Sequence, residues 1–198
     1  MKNLISFLVV LSFVLISTLA SAQTTKAWVE GQAAAAKVDG AYKLTPRLNM
    51  YAERDMGHGF GAFAYGLAMR DFGEIYAGPT YAPAKWLQVG IGAGMETNGA
   101  FRSGGFIWAG GEKAYAIGFG ELNAHGEWWY KGIAAWTPTK YLGAGAYAQR
   151  FMGVGPYLEV KIQNQILPIT LWAAPVLYDA EADAGSRGKS LIGLRAIF

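Results

Sequence analysis

The chain has 198 residues, no cysteine, 27 glycines, 53% apolar and 16% charged residues, and a formal net charge of +3. That apolar fraction excludes a disordered chain, and the missing cysteine excludes a disulfide scaffold and thiolate metal sites. The 17 Lys and Arg face 14 Asp and Glu without forming a basic run, so nucleic acid is not expected as a partner.

Residues 1–22 read as an export signal. Lys2 supplies the positive end, Leu4 to Leu19 the apolar stretch, and Ala20-Ser21-Ala22 the small-residue cleavage site, with Ala20 and Ala22 as its recognition residues. A membrane-anchoring helix is the rival reading. The small residues and the lack of a flanking positive cluster favour cleavage before Gln23, leaving one domain over 23–198.

Beyond residue 22 no apolar run is long enough for a spanning helix, and period-two alternation dominates. From 41 to 53, Tyr42, Leu44, Pro46, Leu48, Met50 and Ala52 alternate with Lys43, Thr45, Arg47, Asn49, Tyr51 and Glu53. Leu87, Val89, Ile91, Ala93 and Met95 alternate with Gln88, Gly90, Gly92 and Gly94. Leu158, Val160 and Ile162 alternate with Tyr157, Glu159, Lys161 and Gln163. Turn signals such as Asp39-Gly40, Gly57-His58-Gly59, Asn98-Gly99, Gly110-Gly111 and Asn123-Ala124-His125-Gly126 separate the segments. The strands are predicted at 26–37, 41–54, 60–70, 74–82, 85–96, 100–109, 113–122, 126–136, 140–150, 154–163, 166–178 and 189–198. This is an all-β chain of about twelve strands, with ten to fourteen compatible with the turn signals. The long polar connection is 179–189. Tyr81 to Leu87 is echoed by Trp136 to Leu142, which similar membrane-edge turns account for without a true repeat.

Alternation leaves open whether the apolar face points in, as in a soluble barrel, or out, as in a membrane barrel. Strand lengths of about ten residues suit a tilted crossing of a bilayer. Tyr81, Trp86, Trp136 and Tyr141 flank two proline turns as an interfacial girdle would. The sequence stops on Phe198, with Ala196, Leu194 and Ile192 on the same face. With its export signal, hairpin turns and terminal Phe, the chain resembles Gram-negative outer-membrane β-barrels as a class. The resemblance implies a closed antiparallel up-and-down transmembrane β-barrel in that membrane. It also implies outer-membrane lipid as solvent, and the barrel-assembly machinery as a partner reading Phe198. It places the Pro83 and Pro138 turns in the periplasm and 179–189 outside.

On the matching facing, Glu30, Lys43, Arg47, Tyr51, Glu53, Arg70, Glu74, Glu127, Lys131, Tyr147, Glu159, Lys161 and Arg195 line the lumen. Positive and negative members nearly balance, which suits either weak ion selectivity or pairing across the interior. Facing of 100–109 and 113–122 stays ambiguous, because Phe106 and Trp108 share parity with Arg102. The inward glycines 90, 92, 94, 143 and 145 imply a wide lumen along their walls.

No catalytic or metal constellation and no cofactor motif emerges. His58 and His125 lie in glycine-flanked turns, no serine sits in a G-x-S-x-G elbow, and Gly188-Lys189-Ser190 lacks the upstream glycine of a phosphate-binding loop. The expected function is a passive, weakly selective pore for small solutes. The alternative is a closed barrel with a structural or surface-interaction role. A hydrolase at the rim, using His125 with Glu121 and Glu127, and a soluble exported barrel rank lower.

Overall fold

A computed structural model describes residues 25–38, 41–163, 167–179 and 189–198. The expected export segment, with Ala20 and Ala22, and most of the 179–189 connection lie outside the described residues.

Twelve strands follow in chain order: β1 (Thr25–Val38), β2 (Ala41–Gly57), β3 (Phe60–Met69), β4 (Gly73–Ala84), β5 (Leu87–Glu96) and β6 (Phe101–Gly110). The remainder are β7 (Ala114–Asn123), β8 (Trp128–Trp136), β9 (Leu142–Gln149), β10 (Gly153–Ile162), β11 (Ile169–Pro175) and β12 (Ser190–Ile197). Each pairs antiparallel with the next, and β12 returns to β1 from Trp28↔Ile197 to Ala35↔Ser190, closing the barrel. Closure matters because a strand in hydrocarbon has no water to satisfy an open edge.

Prolines set several boundaries. Pro168 precedes β11 and Pro175 ends it, which confines a segment predicted at 166–178 to seven residues. Pro79, which has no N–H to give, sits where the β4–β5 ladder skips from Ala77↔Ala93 to Thr80↔Gly90. Pro156 pairs with Ala146 of β9 but lies short of the β10–β11 ladder, which begins at Leu158↔Ala173.

The turns after β2, β4, β6, β8 and β10 share one end of the barrel with residues 25 and 198, here termed proximal. Neighbouring turns there are linked by Ala82 N–H to Gly59 O (2.7 Å), Gly110 N–H to Trp86 O (2.8 Å) and Thr137 N–H to Lys113 O (2.7 Å). The other end is distal. At that end the β1–β2 hairpin outruns the wall. Its ladder continues to Val38↔Ala41, whereas β12 follows β1 only to Ala35 and β3 meets β2 only at Arg47.

The outer surface carries Ile91 at 70% exposure, with Ile107, Leu158, Leu171, Ile192 and Leu194 also exposed. Exposed aromatics sit at both ends: Tyr81, Trp86, Trp136 and Tyr141 proximally, Trp128, Tyr130 and Phe151 distally. Buried glutamates and arginine lie inside. A soluble barrel would reverse this polarity; a hydrocarbon solvent demands it.

Facing of β6 and β7 is settled by burial. Arg102 and Phe106 point inward from β6 while Phe101 and Ile107 are exposed, and Glu121 and Asn123 point inward from β7 while Leu122 is exposed. Two of the inward glycines, Gly90 and Gly143, do not widen the lumen. A Cβ at Gly90 would stand 2.4 Å from the ring of its cross-strand partner Phe106. One at Gly193 would stand 2.4 Å from the Trp172 ring, and one at Gly143 2.5 Å from the Glu159 carboxylate, again across paired strands. Each glycine is the space into which a neighbour's large side chain folds, so the wall is covered at these positions.

Candidate functional site

The candidate site is the barrel interior, built in layers from inward positions of every strand. Two aromatic clusters occupy opposite walls. One joins Tyr147, Tyr157 and Trp172 to Ile133, Met152 and Leu191; the other joins Phe63, Tyr65, Tyr76 and Phe106. Large rings fill a twelve-stranded interior that smaller side chains would leave open.

At the distal rim, Arg102 is caged by three carboxylates. Its Nε lies 3.0 Å from Glu74 Oε2, its Nη1 donates to Glu121 Oε2 at 2.7 Å, and Nη2 donates to Glu96 Oε1. Tyr76 O–H donates to Glu121 Oε1 at 3.2 Å, and Asn98 Nδ2 to Glu96 Oε2 at 3.1 Å. The Phe72 ring closes over the guanidinium at 5.8 Å. Three acids around one base leave this layer at minus two in formal charge.

The central layer is organised on Glu30, which is 0% exposed. Its Oε2 accepts from Trp172 Nε1 at 2.9 Å and Arg195 Nε at 2.8 Å, while Oε1 accepts from Gln32 and lies 3.6 Å from Lys131 Nζ. Lys131 also sits 5.7 Å above the Trp172 ring, and Arg195 5.3 Å above Trp28. Arg47 belongs to this layer but contacts Met152 Sδ at 3.7 Å in place of a carboxylate, and its buried Nε has no hydrogen-bond partner among the described residues. Asn49 accepts from Tyr65 O–H at 2.9 Å, and its Nδ2 is likewise unpartnered.

Towards the proximal end, Glu53 accepts from Tyr51 O–H at 2.9 Å and from Gln88 Nε2. Glu159 accepts from Tyr115 O–H at 2.9 Å and Tyr157 O–H at 3.1 Å, with Lys161 Nζ 3.0 Å away. A cavity of about 800 Å³ opens at this end between Trp28, Tyr51, Phe106, Trp108 and Phe119. A deeper pocket of about 210 Å³ shares Trp28, Trp108, Ile117 and Phe119 with it and reaches Asn49, Lys131 and Arg195.

Of the positions expected in the lumen, Glu30, Arg47, Tyr51, Glu53, Glu74, Lys131, Tyr147, Glu159, Lys161 and Arg195 project inside. Three do not. Lys43 is exposed on the projecting β1–β2 hairpin, where alternation continues although neither face borders the lumen. Arg70 lies in the turn after β3, its side chain 87% exposed and its Nε 3.9 Å from Asp71. β3 buries Phe63 and Tyr65, the parity opposite to that assumed for Arg70. Glu127 precedes β8 in an exposed turn, accepting from Asn123 Nδ2 at 2.8 Å.

Sequence reasoning missed Arg102, Glu96 and Glu121 as one cluster. Glu96 shares parity with Gln88 and the inward glycines, so its facing was readable; Arg102 was masked by the aromatics on its own face. His125 is an exposed turn residue whose backbone N–H donates to Asn123 Oδ1 at 3.0 Å, while Glu121 turns inward to Arg102 and Tyr76. His58 occupies the left-handed region (φ 55°) between Gly57 and Gly59 at the proximal end. Phe198 is exposed there, its N–H donating to Ala27 O at 2.8 Å.

Antiparallel closure, twelve strands and an apolar exterior around a charged interior are the architecture of Gram-negative outer-membrane β-barrels. No protein-family model matches the sequence, and no curated protein matches it. Among solved structures, the chain is similar to the translocator domain of autotransporter NalP from Neisseria meningitidis. Identity is 9% and the TM-score 0.46, covering 99% of this chain and 97% of that one. It is also similar to Ail, the attachment invasion locus protein of Yersinia pestis, at 12% identity and a TM-score of 0.30, covering 89% of this chain and 100% of that one. These likenesses carry no statement about activity.

Proposed function

We propose that the chain is an integral outer-membrane barrel of a Gram-negative cell, closed to free diffusion, whose distal end makes surface contacts. The observation that carries the closed reading is burial within the barrel: Glu30, Tyr157, Ala174 and Leu191 each have 0% exposure although all four belong to the barrel wall. A water-filled lumen would wet them. Support for contacts at the distal end comes from the β1–β2 hairpin, which holds Tyr42 and Leu44 well exposed beyond the wall, and from exposed Leu177 and Tyr178. Exposed apolar groups held beyond the wall suit an interaction surface. In this reading the proximal end is periplasmic, outer-membrane lipid is the solvent, and Phe198 engages the barrel-assembly machinery. No catalysis and no cofactor are assigned.

The pore reading for small solutes draws on one observation, the cavity of about 800 Å³ at the proximal end. Planar-bilayer recording of the purified barrel decides between the two. The closed reading expects no steady conductance steps in 1 M KCl beyond those of lipid alone. Reproducible ohmic steps would return the chain to the weakly selective pores.

A further inference from the structure

We infer that the proximal cavity is a blind binding site for an apolar carboxylate, a ring or chain held between aromatic walls with its anionic group against Asn49, Lys131 and Arg195. The walls and the floor differ in chemistry. Trp28, Trp108 and Phe119 line both the wide mouth and the deeper pocket, so an apolar body can pass from one to the other along a continuous aromatic surface. At the floor the polar groups are donors. Lys131 and Arg195 line the deeper pocket and share the single carboxylate of Glu30. At the floor two cations thus share one anion, and Arg47, whose side chain contacts Met152 Sδ, is a further buried cation with no carboxylate partner among the described residues.

Asn49 points to a ligand independently of this charge balance. It is only 5% exposed, it lines the deeper pocket, and its Nδ2 has no hydrogen-bond partner among the described residues. A buried donor without a partner is costly unless something supplies an acceptor. An excess of positive charge in a low-dielectric interior asks for an anion in the same place. A carboxylate meets both demands at once. An inorganic anion would meet the floor but leave the aromatic walls without a function, which is why an apolar body is included. Aromatic pockets with a few convergent polar groups are the usual form of small-molecule sites.

The test uses the barrel assembled in outer membranes and transferred to phosphatidylcholine nanodiscs, titrated calorimetrically with 2-naphthoate and with its neutral counterpart 2-naphthamide. Saturable one-to-one binding of naphthoate is expected, with naphthamide weaker by at least about ten-fold, the factor that corresponds to about 1.4 kcal/mol. Empty nanodiscs should show no saturable heat. Asn49→Asp keeps an acceptor for the Tyr65 hydroxyl while placing an anion at the floor. It should weaken naphthoate by at least about ten-fold and leave naphthamide unchanged. Should Asn49→Asp fail to assemble, Lys131→Gln carries the same expectation, with Arg195, Trp172 and Gln32 still holding Glu30. Equal affinity for the two probes, equal naphthoate affinity in wild type and variant, or absence of saturable binding each overturns the site. Sodium phosphate competing as strongly as naphthoate would reduce it to a plain anion site and overturn the apolar part. Binding is read at equilibrium, so the outcome is independent of whether the barrel conducts.

Discussion

The distal rim and the barrel centre are both charged and both buried, but they are built in opposite ways. At the rim one guanidinium, Arg102, lies within ion-pair distance of Glu74, Glu96 and Glu121, and tyrosine and asparagine side chains take up further lone pairs, while the buried Glu74 Oε2 makes no hydrogen bond among the described residues. At the centre one carboxylate, Glu30, is shared by Lys131 and Arg195, while Arg47 Nε and Asn49 Nδ2 are left without partners. In the closed reading the rim, turned upon itself, is the seal. The centre keeps donors in hand and borders a cavity. Charge inside a barrel is therefore not by itself a sign of permeation; what separates the two layers is the balance of acid and base, three carboxylates around one guanidinium at the rim and two cations on one carboxylate at the centre.

Removing the two arginines should expose this contrast most strongly. Arg102→Met strands three buried carboxylates and should cost about 3–5 kcal/mol, read as a large fall in the urea unfolding midpoint of the refolded barrel. Adding Glu121→Gln to that variant should recover part of the loss. If Arg102→Met unfolds like wild type, the rim is not a seal. Next in size is the polarity of the wall. Leu194→Arg puts a cation on the lipid face and should cost about 2–4 kcal/mol, whereas Gln88→Arg in the open mouth should assemble normally. Equal outer-membrane yields of the two would contradict the facing. A smaller effect is expected at Gly90→Leu, which collides with the Phe106 ring and should cost about 1–3 kcal/mol through overpacking. A neutral result would mean that the ring can leave and that the wall is open there. The smallest change belongs to the central layer. Arg47→Met removes a cation with no carboxylate partner among the described residues, so the unfolding free energy should fall by no more than about 0.5 kcal/mol or even rise. A loss as large as that of Arg102→Met would erase the distinction between the two layers.

Much of the fold was legible because lipid-facing aliphatics in β5, β10 and β12 alternate with glycine or polar residues, and because Gly, Asn and Asp mark the hairpins. Twelve strands follow from those signals alone. Facing was legible only where one face is polar. β6 and β7 turn Phe106, Trp108 and Phe119 into the lumen and show lipid much of their small-residue face, so alternation is present but its direction is hidden. Lys43 was misplaced because period two persists beyond the wall, into a hairpin whose neighbours have already ended. The inward glycines misled for a different reason. The absence of a side chain at Gly90 or Gly143 reports the size of the cross-strand partner, Phe106 or Glu159, and not the width of the lumen. The Arg102 cage was out of reach because its members come from four strands, β4 to β7, and meet only once those neighbours pair in register.

The asymmetry of the interior can be measured directly because the chain contains no cysteine, so a single introduced thiol is read without background. Gln88 lines the proximal mouth, and Gln149, buried among the distal half of the barrel, accepts from Tyr147 O–H. The measurement is the ratio of labelling rates of Gln88→Cys and Gln149→Cys by a water-soluble maleimide in nanodiscs, where both ends of the barrel meet solvent. A mouth open at one end and sealed at the other predicts labelling at position 88 at least about ten-fold faster than at 149, as a difference of about 1.4 kcal/mol in access would give. Equal rates at the two positions would show a lumen wetted along its length and contradict the seal.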